Sequence, residues 1–340
     1  VVGDDIAYIW LDGKGKARAV NAERGMFGII TEVNGEDDPL IWKVLRGEGN
    51  EVVLSNVCMF GDGDAYWTSR SLTAPEKGRN FSGEWWQGKL GPDGKVVPPS
   101  HPNARFAVSL DAFENLDPAI DAPEGVPLRG IIFGGRDPDT SVPVREALDW
   151  EHGVIVMGAA LESVRTAATI GNIGERNFDP MAIRDFLSIP LGTYVSDYLN
   201  FGERAGEPPK IFAVNYFRTD KDGKFLTGKR HKEVWLRWME LRVHGEVGAI
   251  EAPTGLIPKY GDLVPLFREV LGMEYARKDY DEQFTIRVPE NLAKIERVTA
   301  AYLKEPGAPK AVFDVLWEQR GRLLDAQKEF GDYILPGKFE

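Results

Sequence analysis

A single cysteine, Cys58, occurs in the 340 residues, which excludes an intramolecular disulfide and any all-cysteine metal cage. Histidine is nearly as scarce. His101, His152, His231 and His244 are scattered, and no H-E-x-x-H pattern occurs. His152, between Glu151 and Gly153 just ahead of an apolar run, reads as structural. No segment approaches the roughly 20 apolar residues that span a bilayer, and no basic region followed by an apolar one marks the N-terminus for export. Basic charge is in deficit: 41 Lys and Arg against 53 Asp and Glu give a net charge of −12, which repels nucleic acid and anionic lipid. Two phosphate signatures are absent as well, G-x-x-x-x-G-K-[ST] and G-x-G-x-x-G. These absences lead to the expectation of a cytoplasmic protein with neither nucleic acid nor membrane as a partner. An acidic protein that handles anions must gather its arginines in a cleft.

What is there is ordinary for a globular chain: 43% hydrophobic, 28% charged and 11% aromatic residues, enough to build a sizeable core. Val1 to Trp10 reads as a strand interrupted by Gly3-Asp4-Asp5, with no earlier element to pair with or cover it. The expectation is therefore the rear part of something longer. Residues 20–125 are rich in Gly, Pro, Trp and Asn, with short β-like runs (Val52-Val53-Leu54, Ala65-Tyr66-Trp67) between turn signals such as Gly61-Asp62-Gly63 and Pro92-Asp93-Gly94. That pattern predicts an irregular β-rich lobe. From 126 to about 228, apolar runs alternate with helical segments. Ile131-Ile132-Phe133, Val154-Ile155-Val156-Met157 and Ile211-Phe212-Ala213-Val214 are buried-strand candidates, and Asp179-Pro180 looks like a helix N-cap with proline in the first turn. The tail reads as two helices broken by Pro306-Gly307-Ala308-Pro309. Leu292, Ile295, Val298 and Tyr302 lie on one face of the first; Phe313, Leu316, Trp317 and Leu324 lie on one face of the second. The fold class is α/β with a mixed sheet and a helical C-terminus.

Three short segments suit phosphate and metal chemistry. Asp4 and Asp5 follow an apolar stub, where α/β nucleotide-binding folds place carboxylates for a divalent cation; an exposed acidic turn is the alternative. Phe133-Gly134-Gly135-Arg136 ends a strand run with two residues that permit close backbone approach and one fork-shaped anion donor; a tight turn with a surface arginine is the alternative. In His101-Pro102-Asn103-Ala104-Arg105-Phe106, an extended backbone would point Asn103 and Arg105 to one side.

Seven segments in order carry a resemblance. They are Gly3-Asp4-Asp5-Ile6-Ala7, Asn21 to Gly28 (NAERGMFG), His101 to Phe106 (HPNARF), Pro123 to Arg136 (PEGVPLRGIIFGGR), Val142 to Ala160, Asp179 to Ala182 (DPMA) and Lys210 to Leu226 (KIFAVNYFRTDKDGKFL). Together they resemble the C-terminal part of the GTP-dependent phosphoenolpyruvate carboxykinases. The resemblance implies a C-terminal nucleotide-binding lobe: a β-rich substrate-binding subdomain over 20–125, an α/β nucleotide-binding core over 126–285 and a helical tail over 286–340. It implies a decarboxylating lyase of gluconeogenesis, which turns oxaloacetate and GTP into phosphoenolpyruvate, CO₂ and GDP. By position, Asp5 matches a manganese-ligating aspartate and Asp4 its neighbour near the nucleotide metal, so Mn²⁺ and Mg²⁺ are the implied cofactors. Asn103 and Arg105 match the pair that holds phosphoenolpyruvate or oxaloacetate, and Arg136 matches an arginine at the transferred phosphoryl group. Arg105 and Arg136 are thus the implied catalytic residues, facing one cleft with Asn103. Phe217 and Phe225 match aromatics that sandwich guanine, which asks for roughly parallel rings about 7 Å apart; ordinary core packing is the alternative. Thr227 to Glu233 (TGKRHKE) stands in place of the family's WPGFGEN, so the match implies a purine, with GTP preferred on family grounds. Residues 165–175 stand where the family has a mobile lid, with Thr166, Ala167, Gly171 and Gly174 as its small residues. The family's phosphate loop and further metal ligands, which precede the Gly-Asp-Asp, are not in these residues. The expectation is a partner N-terminal half and no turnover without it; a non-catalytic nucleotide- or anion-binding remnant is the alternative.

Overall fold

Turn residues every few positions keep the strands of the first third short. The computed structural model, which describes residues 1–166 and 173–340, divides into two units. The first comprises Val1–Trp10 and Arg18–Pro127; the second comprises Leu11–Ala17 and the described residues from Leu128 onward.

In the first unit the elements run β1 (Ala7–Leu11), β2 (Ala17–Asn21), β3 (Gly25–Ile29), α1 (Pro39–Arg46), β4 (Val52–Ser55), β5 (Cys58–Phe60), β6 (Asp64–Tyr66), β7 (Lys77–Asn80), β8 (Gly83–Trp86), β9 (Arg105–Ser109) and β10 (Val126–Pro127). They form three small sheets, ordered β1-β2-β10, β3-β9-β4 and β6-β5-β7-β8. The turn joining β5 to β6 holds Gly61 and Gly63 at positive φ, a conformation glycine enters without steric cost. Strand β9 alternates strictly. Phe106 and Val108 point into a core with Ile30, Val44, Trp67 and Leu110, and period 2 then sends Arg105 and Ala107 to the opposite face.

The second unit runs β11 (Gly130–Gly134), β12 (Val144–Glu146), α2 (Trp150–His152), a wide helical segment Gly153–Ala159, β13 (Glu162–Val164), β14 (Arg176–Phe178), α3 (Leu191–Arg204), β15 (Lys210–Val214) and α4 (His231–His244). It continues with β16 (Ile250–Ala252), β17 (Gly255–Ile257), α5 (Tyr260–Leu271), α6 (Arg277–Phe284), β18 (Ile286–Arg287), α7 (Val288–Tyr302), α8 (Lys310–Phe330) and β19 (Tyr333–Ile334). The main sheet is mixed, ordered β11-β15-β12-β17-β16. Strands β11 and β15 are parallel, from Gly130 opposite Lys210 to Gly134 opposite Val214; the other pairings are antiparallel. Among the described residues no helix is long and apolar enough to cross a membrane.

Val154 to Met157 is not a strand. It lies in the Gly153–Ala159 helix, where the Ala160 N–H donates to the Ile155 carbonyl five residues back at 2.8 Å. Every residue of the segment is buried. A helix apolar on all sides belongs inside a core, and a short apolar run alone cannot separate that case from a buried strand. Two glycines fit this helix to the sheet. A Cβ on Gly153 would lie 2.6 Å from Ile211 Cβ, and one on Gly158 would lie 2.9 Å from the Phe133 ring. The helix therefore rests directly on β15 and β11.

Two further expectations change. Residues 180–186 form two single 3₁₀ turns, Pro180–Ala182 and Arg184–Phe186, and the Asp179 side chain caps neither; Met181 and Ala182 sit at positive φ, which interrupts a helix. In α8 the inward face is Val312, Val315, Leu316, Gln319, Leu323 and Ala326. Trp317 is 69% exposed and lies under the Arg320 guanidinium at 5.2 Å. Its indole finds a cation instead of the core.

Because Gly153 meets a β-carbon with no room to yield, Gly153→Ala should cost about 1–3 kcal/mol through overpacking. Urea unfolding should show a lower midpoint; an unchanged midpoint would contradict the close helix–sheet contact.

Candidate functional site

In the first unit, the open face of the β3-β9-β4 sheet carries Arg105. Register places Ile29 and Ser55 on either side of it, with Phe27, Ala107 and Val53 as the next cross-strand row. Phe27, Ile29 and Val53 are exposed large apolar residues. The Asn103 Oδ1 accepts a hydrogen bond from Arg105 Nε at 2.6 Å, and the guanidinium lies 5.3 Å from the Phe27 ring centroid. Asn103 is itself fixed, since its N–H donates to His101 Nδ1 at 3.0 Å. Holding Arg105 by Nε leaves the planar fork of terminal nitrogens as donors for a carboxylate or phosphate. Asp4 joins the same neighbourhood, because its carboxylate accepts from the Phe27 N–H at 2.8 Å. Asp5 is exposed, and with Asp4 it lines a pocket of about 210 Å³ whose other walls include Ile6, Val20, Asn21 and Ile120. Gly3 makes room there, as a Cβ would strike the Asn21 side chain at 2.6 Å.

In the second unit, Arg136 and Phe217 lie just beyond the carboxyl ends of the parallel strands β11 and β15, the end at which open α/β sheets receive ligands. Asn215 ties the two exits together. Its Nδ2 donates to Asp137 O (2.6 Å) and Ser141 O (2.8 Å), and its Oδ1 accepts from the N–H groups of Asp137 (3.3 Å) and Phe217 (3.1 Å). Arg136 is held by the neighbouring hairpin: its N–H donates to Ser163 Oγ at 3.2 Å and its Nε to Val164 O at 2.6 Å. Neither Arg105 nor Arg136 makes an ion pair among the described residues, despite the acidic composition. Asp179 lies in electrostatic range of Arg136, Arg165 and Arg184. Burial, then Asp185, pushes its pKa up against those arginines.

The hairpin β13–β14 is the base of the segment expected as a lid. Glu162 pairs with Phe178 and Val164 with Arg176, and the ladder continues through Arg165 N–H to Glu175 O at 2.8 Å. Gly174 turns the chain at φ +87, and Thr166 ends the described part of the first arm. Ala167 and Gly171 lie outside the described residues.

Phe217 and Phe225 stand on the two arms of a second hairpin, closed by the Thr219–Phe225 bridge and by Leu226 N–H to Arg218 O at 2.9 Å. Both rings are exposed, so neither is core packing. They are not parallel, however. They meet edge to face, with centroids 5.9 Å apart and planes at 82°. The positive edge of one ring meets the negative face of the other.

The sequence reading missed the charged residues that hold this end of the sheet. Glu162 is buried and takes a two-pronged grip from Arg297 (2.9 and 2.7 Å), with Arg176 at 3.4 Å. Asp137, next to Arg136, accepts from Thr140 and Ser141 and faces Arg176 (3.5 Å) and Lys294 (3.9 Å). Burial opposes its charge, but Lys294, the Thr140 hydrogen bonds and Arg176 together hold its carboxyl well below the ordinary range. A polar residue on the apolar face of α7 was the available signal: Lys294 sits between Asn291 and Val298 on the buried side. His152 is structural, buried with Nε2 3.2 Å from Gln319 Oε1. Burial, then the charges of Arg145 and Arg322, push its pKa down to about 3.

Comparison with known proteins gives this geometry a context. The family described as "Phosphoenolpyruvate carboxykinase C-terminal P-loop domain" matches residues 1–322. The chain is 56% identical to the "Phosphoenolpyruvate carboxykinase [GTP]" of Thermococcus sibiricus over 340 residues, covering 100% of this chain and 54% of that protein. It is 48% identical to the protein of the same name from Saccharolobus solfataricus over 340 residues, covering 100% and 55%. With that of Chlamydia muridarum it shares 38% identity over 259 residues, covering 76% and 42%. The chain thus spans about half the length of these curated relatives.

Removing the Asp137 charge should leave Lys294 and Arg176 short of their partner, so Asp137→Asn should destabilise the fold by about 3–5 kcal/mol at neutral pH. The depressed carboxyl stabilises fully above the unfolded value of about 3.9, and that stability falls away as pH drops toward the folded value. The gap between the original and altered chains should therefore be flat from pH 7 to 5 and shrink below pH 4, at about 1.4 kcal/mol per unit. Urea unfolding across that range tests it; a gap independent of pH would contradict the assignment.

Proposed function

Because the chain belongs to the phosphoenolpyruvate carboxykinase family, we propose that it forms the C-terminal, nucleotide-handling part of a GTP-dependent phosphoenolpyruvate carboxykinase. The match across residues 1–322 carries the reading. The reaction takes oxaloacetate and GTP to phosphoenolpyruvate, CO₂ and GDP, in the direction of gluconeogenesis and in the cytoplasm. Decarboxylation of oxaloacetate leaves an enolate, and the enolate oxygen then attacks the γ-phosphoryl group of the nucleotide. Arg105, gripped by Asn103, orients a carboxylate or phosphate of the substrate. The apolar residues around it, Phe27, Ile29 and Val53, favour exclusion of water that would protonate an enolate to pyruvate. Arg136, fixed by Ser163 and Val164, neutralises charge on the phosphoryl group in flight, where preorganised donors contribute most. Phe217 and Phe225 take the purine between them, which requires the edge-to-face pair to open. Thr166, Ala167, Gly171 and Gly174 belong to the lid.

The divalent metals of this reading are only half provided for. Asp4 and Asp5 supply the hard oxygen donors that Mn²⁺ and Mg²⁺ take. Asp4 already accepts the Phe27 N–H, and among the described residues no group of three or more His, Cys, Asp or Glu could hold an ion. These residues alone do not fit a complete catalytic metal site, and we propose that Asp5, with Asp4 beside it, contributes to one completed by the other half of the protein.

Two outcomes follow. Mn²⁺ binding to this chain, followed by electron paramagnetic resonance, should be weak and weaker still in Asp5→Asn; tight stoichiometric binding that survives the substitution would remove Asp5 from the site. In the intact protein that carries this region, oxaloacetate- and GTP-dependent formation of phosphoenolpyruvate should fall about 100- to 1,000-fold in Arg136→Ala and in Arg105→Ala. An intact protein that binds the nucleotide but forms no phosphoenolpyruvate would point to a non-catalytic remnant instead.

A further inference from the structure

Two residues of β13 hold Arg136. Val164 O accepts from its Nε at 2.6 Å, Val164 N–H donates to its carbonyl at 2.9 Å, and Ser163 Oγ accepts from its N–H at 3.2 Å. One edge of β13 is therefore taken by Arg136 and the other by β14, where Val164 stands opposite Arg176. Arg176 turns back toward the loop that follows Arg136. Its Nη2 donates to Asp139 Oδ1 at 2.7 Å, and its Nη1 donates to Glu162 Oε2 at 3.4 Å and faces Asp137 Oδ1 at 3.5 Å. All of these residues belong to the second unit. The contacts close a ring. Arg136 meets Val164 across one strand edge, Val164 faces Arg176 across the other, and Arg176 returns to Asp137 and Asp139 beside Arg136.

The three carboxylates do not depend on Arg176 equally. Glu162 has Arg297 at 2.9 and 2.7 Å, and Asp137 has Thr140, Ser141 and Lys294. Asp139, the exposed member of the three, has Arg176 as its ion-pair partner among the described residues. Removing Arg176 thus strands neither buried carboxylate, which would be the costly case. What it removes is the tie between β14 and the turn that runs from Asp137 to Asp139. A planar guanidinium with separate nitrogens on two elements fixes their spacing, which a single point charge does not. It also engages the negative charge of Asp139, three residues along from Arg136.

We propose that Arg176 is a positioning residue for phosphoryl transfer: it clamps the β13–β14 hairpin to the Asp137–Asp139 turn and so fixes the Val164 carbonyl that aims Arg136. Arg176 itself touches no substrate, and its role rests on the proposed function of Arg136. A residue that acts only by aiming another loses its effect once that other side chain is gone.

The test is a double-mutant cycle in the intact protein that carries this region. Arg176→Met should lower kcat for phosphoenolpyruvate formation about 10- to 100-fold, with KM for GTP changed less than about twofold. In the Arg136→Ala background the same substitution should change kcat less than about twofold. Asp139→Asn, at the exposed end of the tie, should repeat both results and serves if Arg176→Met does not fold. On the chain alone, nuclear magnetic resonance of the Arg136 Nε–H, identified by its loss in Arg136→Lys, should show exchange with water that quickens in Arg176→Met. Equal losses of kcat in both backgrounds, or an exchange rate that Arg176→Met leaves unchanged, would overturn the proposal. An intact protein whose kcat survives Arg136→Ala would instead overturn the reaction role of Arg136, and the exchange measurement would still decide whether Arg176 positions it.

Discussion

The contact of the Gly153–Ala159 helix with strands β11 and β15 is the constraint on which the second unit rests. Gly153 and Gly158 bring helix backbone onto Ile211 and Phe133, and the other residues of the segment are buried among α3, α7 and α8. Tyr302 of α7 reaches back to its end, donating to Ala159 O at 2.9 Å. An interior packed to crystal-like density transmits position from one element to the next. The parallel strands therefore leave the sheet at fixed points, and Arg136 and Phe217 are the residues found just beyond them.

Electrostatics then refine what packing sets. The chain is strongly acidic, and most of its exposed arginines are spent on carboxylates, as Arg24, Arg70 and Arg268 show. Arg105 and Arg136 are instead positioned by neutral acceptors, an amide oxygen in one case and a main-chain carbonyl in the other. Neutral acceptors orient a guanidinium without cancelling its charge, which leaves the charge available to an anionic ligand. The buried carboxylates Glu162 and Asp137 hold the surrounding loops through other cations, Arg297, Arg176 and Lys294. The charges that hold the loops and the two arginines left without a carboxylate partner among the described residues are thus separate residues.

Much of this was legible in the sequence, and the failures have physical causes. Strands β11 and β15, the β-rich first part and the break between α7 and α8 follow from turn residues and apolar runs. The Val154–Met157 segment was misread because a helix buried on every side has no polar face to reveal its period. Trp317 was misplaced because its apolar ring stays at the surface beside the Arg320 guanidinium, a neighbour that hydrophobic patterning ignores. Asn103 and Arg105 were expected to act together, and their hydrogen bond joins them; which strands flank them, and hence Phe27, Ile29 and Val53, depends on pairings between residues far apart in sequence. Lys294 showed only as a polar residue on an apolar helix face; what it pairs with could not be read, since Asp137 lies more than 150 positions earlier.

The central claim is that the carboxyl ends of β11 and β15 form the nucleotide site. Hydrogen exchange of the chain with and without GDP tests it most directly. Protection should appear at the backbone amides of Gly135 to Asp137 and of Tyr216 to Leu226, while the β5–β8 sheet of the first unit exchanges unchanged. Nucleotide-dependent protection confined to other segments, with these amides unaffected, would contradict the account.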